Sequence, residues 1–206
     1  NNINSIQDLR DKNVMITSDA KSSASIIAML NVNGLTLSNI NVQNHTFKLD
    51  DLINKKTDAM ASYISNEPVS LASKNIDYKI FHPKDYGFDF YNDILFTSSK
   101  YIKDNPKLTK DFFNASLKGW NYAFEHINHS SKVVFNKYNT QNNTLQHFIS
   151  EGEALKKLVH HDGSISIGCL DEDKLQKIVA VYQLMGLIKG DIDLKEFIYD
   201  YNPHKM

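Results

Sequence analysis

Arginine is nearly missing from these 206 residues: Arg10 stands alone among 23 basic Lys and Arg side chains. The chain is therefore poorly equipped for bidentate arginine readout of bases or phosphates. The formal net charge is -1, so nothing global recommends nucleic acid or an acidic membrane surface as a partner. Cysteine is just as scarce. Cys169 has no second thiol to pair with, so neither an internal disulfide nor a cysteine zinc cluster forms. A lone thiol fits either redox compartment. Internal repeats, glycine-rich phosphate loops, GxSxG elbows, HExxH helices and paired-carboxylate arrangements are also absent. No apolar run is long enough to span a bilayer, and no signal peptide is present. The chain opens on Asn1 rather than Met, which reads as a processed or excised piece whose export signal went with the missing part.

What the chain does contain is a core. Hydrophobic residues make up 41% and charged residues 23%, the balance of a folded protein with one large domain or two small lobes. Its most informative stretch is Asp58-Ala-Met-Ala-Ser-Tyr-Ile-Ser-Asn-Glu-Pro68. The run Ala59 to Ile64 reads as a short buried strand, Ser65 to Glu67 as a polar turn, and Pro68 as the first turn of a helix. In open α/β sheets, ligands collect outside the carboxyl ends of the strands. Asn66 and Glu67 stand at such an end. Two readings are open: they face a ligand, or they cap the following helix.

Earlier in the chain, Val14 to Thr17 has strand character. A polar loop, Ser18-Asp-Ala-Lys-Ser-Ser23, leads into an apolar helical run from Ala24 to Leu30, with Gly34 placed to end it. A loop of this kind aims backbone N–H groups at an anion or a polar ligand head, or else merely caps its helix. Ile40 to Gln43 reads as a second strand and Phe47 to Lys56 as a helix. Val69 to Lys74 reads as a short helix and Asp77 to Phe81 as another strand. This alternation argues for a mostly parallel sheet with flanking helices. The segment from Lys84 to Asp93 crowds four aromatics and aspartates around Gly87, the makings of a ligand cleft or of ordinary core aromatics at a crossover. Ile94 to Thr97 then reads as an apolar strand.

From Ser99 onward the pattern is almost wholly helical. Asn105-Pro106 opens a helix to about Glu125, with Phe112, Phe113 and Trp120 among the residues expected on its buried side. Helices are expected over Asn128 to Tyr138 and Leu145 to Val159, from about Leu170 to Met185, and briefly within Asp193 to Tyr199. His160, His161 and Asp162 invite a metal reading, but adjacent residues at a helix end rarely converge on one ion. No metal, cofactor or catalytic residue is expected.

Several of these pieces, in this order, resemble a known family. Ile6-Gln-Asp-Leu-Arg-Asp-Lys-Asn-Val14 resembles the opening of the distal lobe in periplasmic solute-binding proteins. The stretch from Thr57 to Pro68, with its Asn-Glu-Pro, resembles the thiamine-pyrimidine and aliphatic-sulfonate binding family. Phe90 to Thr97 looks like the strand returning to the first lobe. Leu117-Lys-Gly-Trp-Asn-Tyr-Ala-Phe-Glu125 looks like the family's Gly-Trp-x-Tyr-Ala helix. The likeness covers roughly residues 5–127. The tail, with Glu151 to Lys157 and Tyr182 to Ile188, resembles versions of the domain that serve as extracytoplasmic inputs of bacterial sensor proteins.

The resemblance implies an α/β, periplasmic-binding-protein-like fold followed by a helical C-terminal half. It implies a distal lobe at 8–82, a crossover and partial first lobe at 83–127, and a helical extension at 128–206. It also implies a flytrap that closes on a small polar, possibly heteroaromatic ligand between two lobes, in the periplasm or elsewhere outside the cytoplasm. The residues expected at the ligand are Ser18, Asp19, Ser22 and Ser23; Tyr63, Asn66 and Glu67; and Tyr86, Asp89 and Tyr91. A first-lobe segment that family members carry ahead of Asn1 is expected to be cut off or supplied by another chain, or its place to be taken by self-association. Membrane attachment would come only through parts outside this sequence. The alternatives are the binding component of an ABC transporter and an enzyme like the pyrimidine synthases. With Cys169 alone, the cysteine-rich motif of those enzymes is lacking.

Overall fold

A computed structural model describes residues 3–17, 19, 21–160 and 166–199. Ser18, His161 and Asp162 lie outside the described residues. The chain divides into two units, each drawn from separate stretches. The first takes in Asn1–Ser62, Asp77–Phe90 and Leu170–Met206, the second Tyr63–Ile76 and Tyr91–Cys169.

The first unit is built on a parallel three-stranded sheet of β1 (Asn13–Ile16), β2 (Asn41–Asn44) and β3 (Ala59–Met60), in the order β2-β1-β3. Val14 pairs with Val42 on one side and with Ala59 on the other. Parallel neighbours need crossovers, and helices α1 (Ala24–Val32) and α2 (Leu49–Ile53) supply them. As the central strand, β1 is covered on both faces, so Val14, Met15 and Ile16 are all buried. Val14 and Ile16 join Ile6, Leu9, Met29, Leu30, Leu35 and Ile40 in one apolar cluster. Gly34 ends α1 with φ +74°, a left-handed value that glycine adopts without Cβ strain. Helices α8 (Glu172–Leu184) and α9 (Leu194–Phe197) complete this unit. α8 packs on α1 and buries Leu175.

The second unit holds α3 (Glu67–Ser73), α4 (Ser99–Asp104), α5 (Pro106–Glu125), α6 (Ile127–Tyr138) and α7 (Leu145–His160). α4 stops at Asn105 because a residue before proline is pushed out of the helical region, and Pro106 then starts α5. α6 packs along α7, and α3 also packs on α7.

An α/β periplasmic-binding-like arrangement with a helical second half is therefore what the chain adopts. Several details depart from the sequence reading. The Asp58–Pro68 stretch forms no central buried strand: β3 lies at the sheet edge and pairs over only two residues, both half-buried. Asp77–Phe81 and Ile94–Thr97 form no strand, and Phe96 is 88% exposed. A strand needs a neighbour to take up its N–H and C=O groups, and none of the described residues provides one here. The apolar side of α5 is also less covered than expected. Phe124 is buried, whereas Phe112 and Trp120 are exposed, the Trp120 ring stacking on Phe124 with centroids 5.4 Å apart.

Three carboxylates of the first unit titrate below the usual aspartate range. Asp8 accepts the Asn4 and Ser5 amides. Asp19 is held low mainly by the Ser22 hydroxyl, and Asp51 by the Thr46 hydroxyl, then the Lys56 ammonium. A depressed carboxyl stabilises the fold above its unfolded value, near 3.9, and loses that contribution as pH falls through the folded value. The denaturant midpoint of the first unit should therefore drop below about pH 4. A midpoint flat from about pH 5 to about pH 2 would contradict this.

Candidate functional site

Parallel pairing makes the chain leave β1 and β3 by the same edge of the sheet. The segments that follow carry the expected ligand residues, each within its own unit.

In the first unit, the loop before α1 is closed on itself. The Asp19 carboxylate accepts the Ser22 hydroxyl at 2.6 Å and the Ser22 and Lys21 amides at 3.1 and 3.3 Å. The donors that would meet an external anion thus already have one. Ser23 is buried, its hydroxyl 2.7 Å from the Thr17 hydroxyl. Tyr86 lies half-buried in the turn Pro83–Tyr86 and packs against the apolar cluster. Asp89 forms ion pairs with Lys174 at 3.1 Å and Lys84 at 3.8 Å. Helix α8 adds a residue the sequence reading passed over: the Tyr182 hydroxyl donates to the Lys21 carbonyl at 2.8 Å, and its ring lies 6.0 Å from that of Phe90. Burial, with the nearby charge of Asp19, pushes the Tyr182 hydroxyl up.

In the second unit, Tyr63, Asn66 and Glu67 form one turn. The Asn66 amide donates to the Tyr63 carbonyl at 3.0 Å, and the Tyr63 amide donates to the Glu67 carboxylate at 3.0 Å. The Asn66 side chain makes no capping bond to α3, with φ -118° and ψ -77° instead of the extended cap geometry. The cap reading of Asn66 is therefore not realised. The Tyr63 ring is exposed and Tyr91 half-buried. Behind the turn, Ser70 Oγ lies 3.4 Å from Nδ1 of His147, and His147 Nε2 lies 4.0 Å from a Glu151 oxygen. Burial pushes the Glu151 carboxyl up; His147 opposes the shift and Glu67 adds to it. The sequence signal for this pair was a His and a Glu four apart on the apolar stripe of α7.

Among the described residues no group of His, Cys, Asp and Glu is arranged to hold a metal ion, and no helix is long and apolar enough to cross a membrane. The parallel sheet places the chain in the α/β class, in which ligands gather past the carboxyl ends of the strands.

The chain belongs to the NMT1/THI5-like family, whose model matches residues 1–129. Over 134 residues it is 22% identical to the formylaminopyrimidine-binding protein of Halalkalibacterium halodurans. That match covers 63% of this chain and 40% of the relative, so the chain spans less than half of that protein's length. Helices α7, α8 and α9 lie beyond the family-matched residues.

Proposed function

We propose that this chain is an extracytoplasmic binding domain for a small, polar nitrogen heterocycle of the aminopyrimidine kind, and that it acts as the input of a signalling protein. The observation that carries the reading is the Tyr63–Glu67 turn. It holds an amide side chain with no capping role and a carboxylate just past the end of a sheet strand. Asp19 favours a pyrimidine over a sulfonate, because its carboxylate already fills the donors of the loop before α1. The ligand in the relative's name agrees with this choice.

In this reading the second unit offers Tyr63 and Tyr91 as aromatic faces and Asn66 and Glu67 as polar contacts, while Asp19, Ser22, Ser23, Tyr86 and Asp89 shape the polar segments of the first unit. No catalytic step is assigned. The sensor reading rests on α8, which lies outside the matched residues yet touches Lys21 through Tyr182 and Asp89 through Lys174. A helix so attached can register changes in both segments. The transporter reading is the alternative: a bound permease partner would favour it. The exposed apolar segment Ile94–Phe96 fits a strand completed by further chain or by a second copy, since open edges recruit partners.

Glu67→Ala should weaken binding of a 4-aminopyrimidine by about 1–3 kcal/mol, the cost of stranding a buried hydrogen-bond partner. Isothermal calorimetry measures it, and unchanged affinity removes Glu67 from the site. A thermal-shift panel of pyrimidines, sulfonates, amino acids and short carboxylates tests the class, since a ligand that binds only the folded state raises the melting point. A shift with sulfonates alone overturns the pyrimidine assignment.

A further inference from the structure

The corner behind the Tyr63–Glu67 turn is chemically unfinished. His147 is 8% exposed, yet its Nε2 has no hydrogen-bond partner among the described residues. Buried polar atoms are rarely left so. The Glu151 carboxylate lies 4.0 Å from Nε2, within ion-pair range but beyond a hydrogen bond. Burial and the charge of Glu67 both disfavour the ionised form of Glu151. One carboxylate oxygen of Glu67 takes the Tyr63 amide; the other takes no hydrogen bond from the described residues. The corner thus combines two acidic groups that disfavour each other with a buried imidazole nitrogen lacking a partner.

We propose that His147 and Glu151 of α7 are ligand-reading residues, and that with Glu67 they select a guest presenting an amino group next to a ring nitrogen. The proposal rests on the reading of this chain as a binding domain. When the Ser70 hydroxyl donates to Nδ1 of His147, Nε2 carries the imidazole proton and needs an acceptor. A carboxylate needs donors. An aminopyrimidine edge, N=C–NH2, supplies both: its ring nitrogen accepts from Nε2–H and its amino group donates to Glu151 or Glu67. A sulfonate supplies acceptors only and would face two carboxylates. Nε2 is itself shielded from solvent, so the guest reaches it as the partly exposed Glu151 carboxylate turns aside. α7 lies beyond the residues that the family model matches, whereas Glu67 lies within them.

Calorimetry with a 4-aminopyrimidine and the matching 4-methylpyrimidine tests the proposal in the wild type, Glu151→Gln and His147→Gln. Charge-assisted hydrogen bonds make the wild type prefer the amino compound by about tenfold or more. Glu151→Gln should lose most of that preference, whereas His147→Gln should weaken both compounds by about tenfold and leave the preference in place, because both carry the ring nitrogen. Glu151→Gln removes a disfavoured buried charge, so it should melt no lower than the wild type at neutral pH, which separates lost binding from lost folding. A Glu151→Gln protein that keeps the full preference, or a His147→Gln protein that binds both compounds as tightly as the wild type, overturns this assignment and leaves the binding-domain reading standing. A wild type that gives no heat with either pyrimidine and no thermal shift with the wider panel overturns both.

Discussion

Leu30→Ala should destabilise the first unit by about 2–5 kcal/mol, with the denaturant midpoint falling and the slope unchanged. Leu30 is 1% exposed and packs in the cluster of Val14, Ile16, Met29 and Leu35. Truncation removes apolar burial and leaves a cavity that a sheet covered on both faces cannot close. The effect reaches function. Leu30 anchors α1, and the loop that Asp19 ties to Ser22 leads into that helix. Loss of binding in this variant, unlike loss in Glu67→Ala, should therefore track loss of fold. Leu184, 89% exposed at the end of α8, is the control. Leu184→Ala should change stability by no more than about 0.5 kcal/mol. Equal losses for the two leucines would show that the cluster around β1 is not the unit's core.

Gly168→Ala is the second large effect, expected to cost about 2–4 kcal/mol. Two causes add. Gly168 has φ +85°, a conformation that L side chains rarely adopt. An added Cβ would also lie 2.5 Å from Leu117 Cδ2 and 3.1 Å from Phe113 Cζ. Gly168 closes onto α5, so the strain falls on the helix carrying Trp120 and Phe124. Two sister substitutions separate the causes. Gly186→Ala has the left-handed backbone, at φ +68°, but open space around it, so only the conformational part remains. Gly119→Ala has space and sits in the middle of α5, where alanine is the better helix former, and it should stabilise by about 0.5–1 kcal/mol. Thermal melts of the three variants give the order; a Gly168→Ala protein as stable as Gly186→Ala would remove the packing part.

Local forces shaped some elements of this chain and long-range contacts the others. β1, α1 and its end at Gly34 were legible because they follow from local pattern: an apolar run, a helical stripe, and a glycine where the backbone turns left-handed. Helices α5 to α8 were legible for the same reason. The strands expected at Asp77–Phe81 and Ile94–Thr97 were not, because a strand exists only once another segment offers a ladder. Apolar content alone cannot say whether such a neighbour is there. The same holds for the exposed side of α5, whose stripe marks a face suited to burial without saying what lies against it.

The candidate site divides likewise. Asn66 and Glu67 could be singled out from their place after a strand and before Pro68, but whether the amide capped a helix depended on backbone angles that local sequence leaves open. His147 and Glu151 stand some 80 positions later in the chain, and only the packing of α3 on α7 brings them behind Glu67. Tyr182 reaches Lys21 across a still longer separation. By itself, then, the amino-acid order determined the α/β class, the main helices, the lack of an internal disulfide and the polar turn after the strand. The tertiary structure alone decided which apolar segments found partners, which carboxylates were already occupied, and which imidazole nitrogen was left buried without one. Helix and turn formation is settled within a few residues by backbone sterics and side-chain spacing, whereas burial, pairing and charge proximity join residues that the chain keeps far apart.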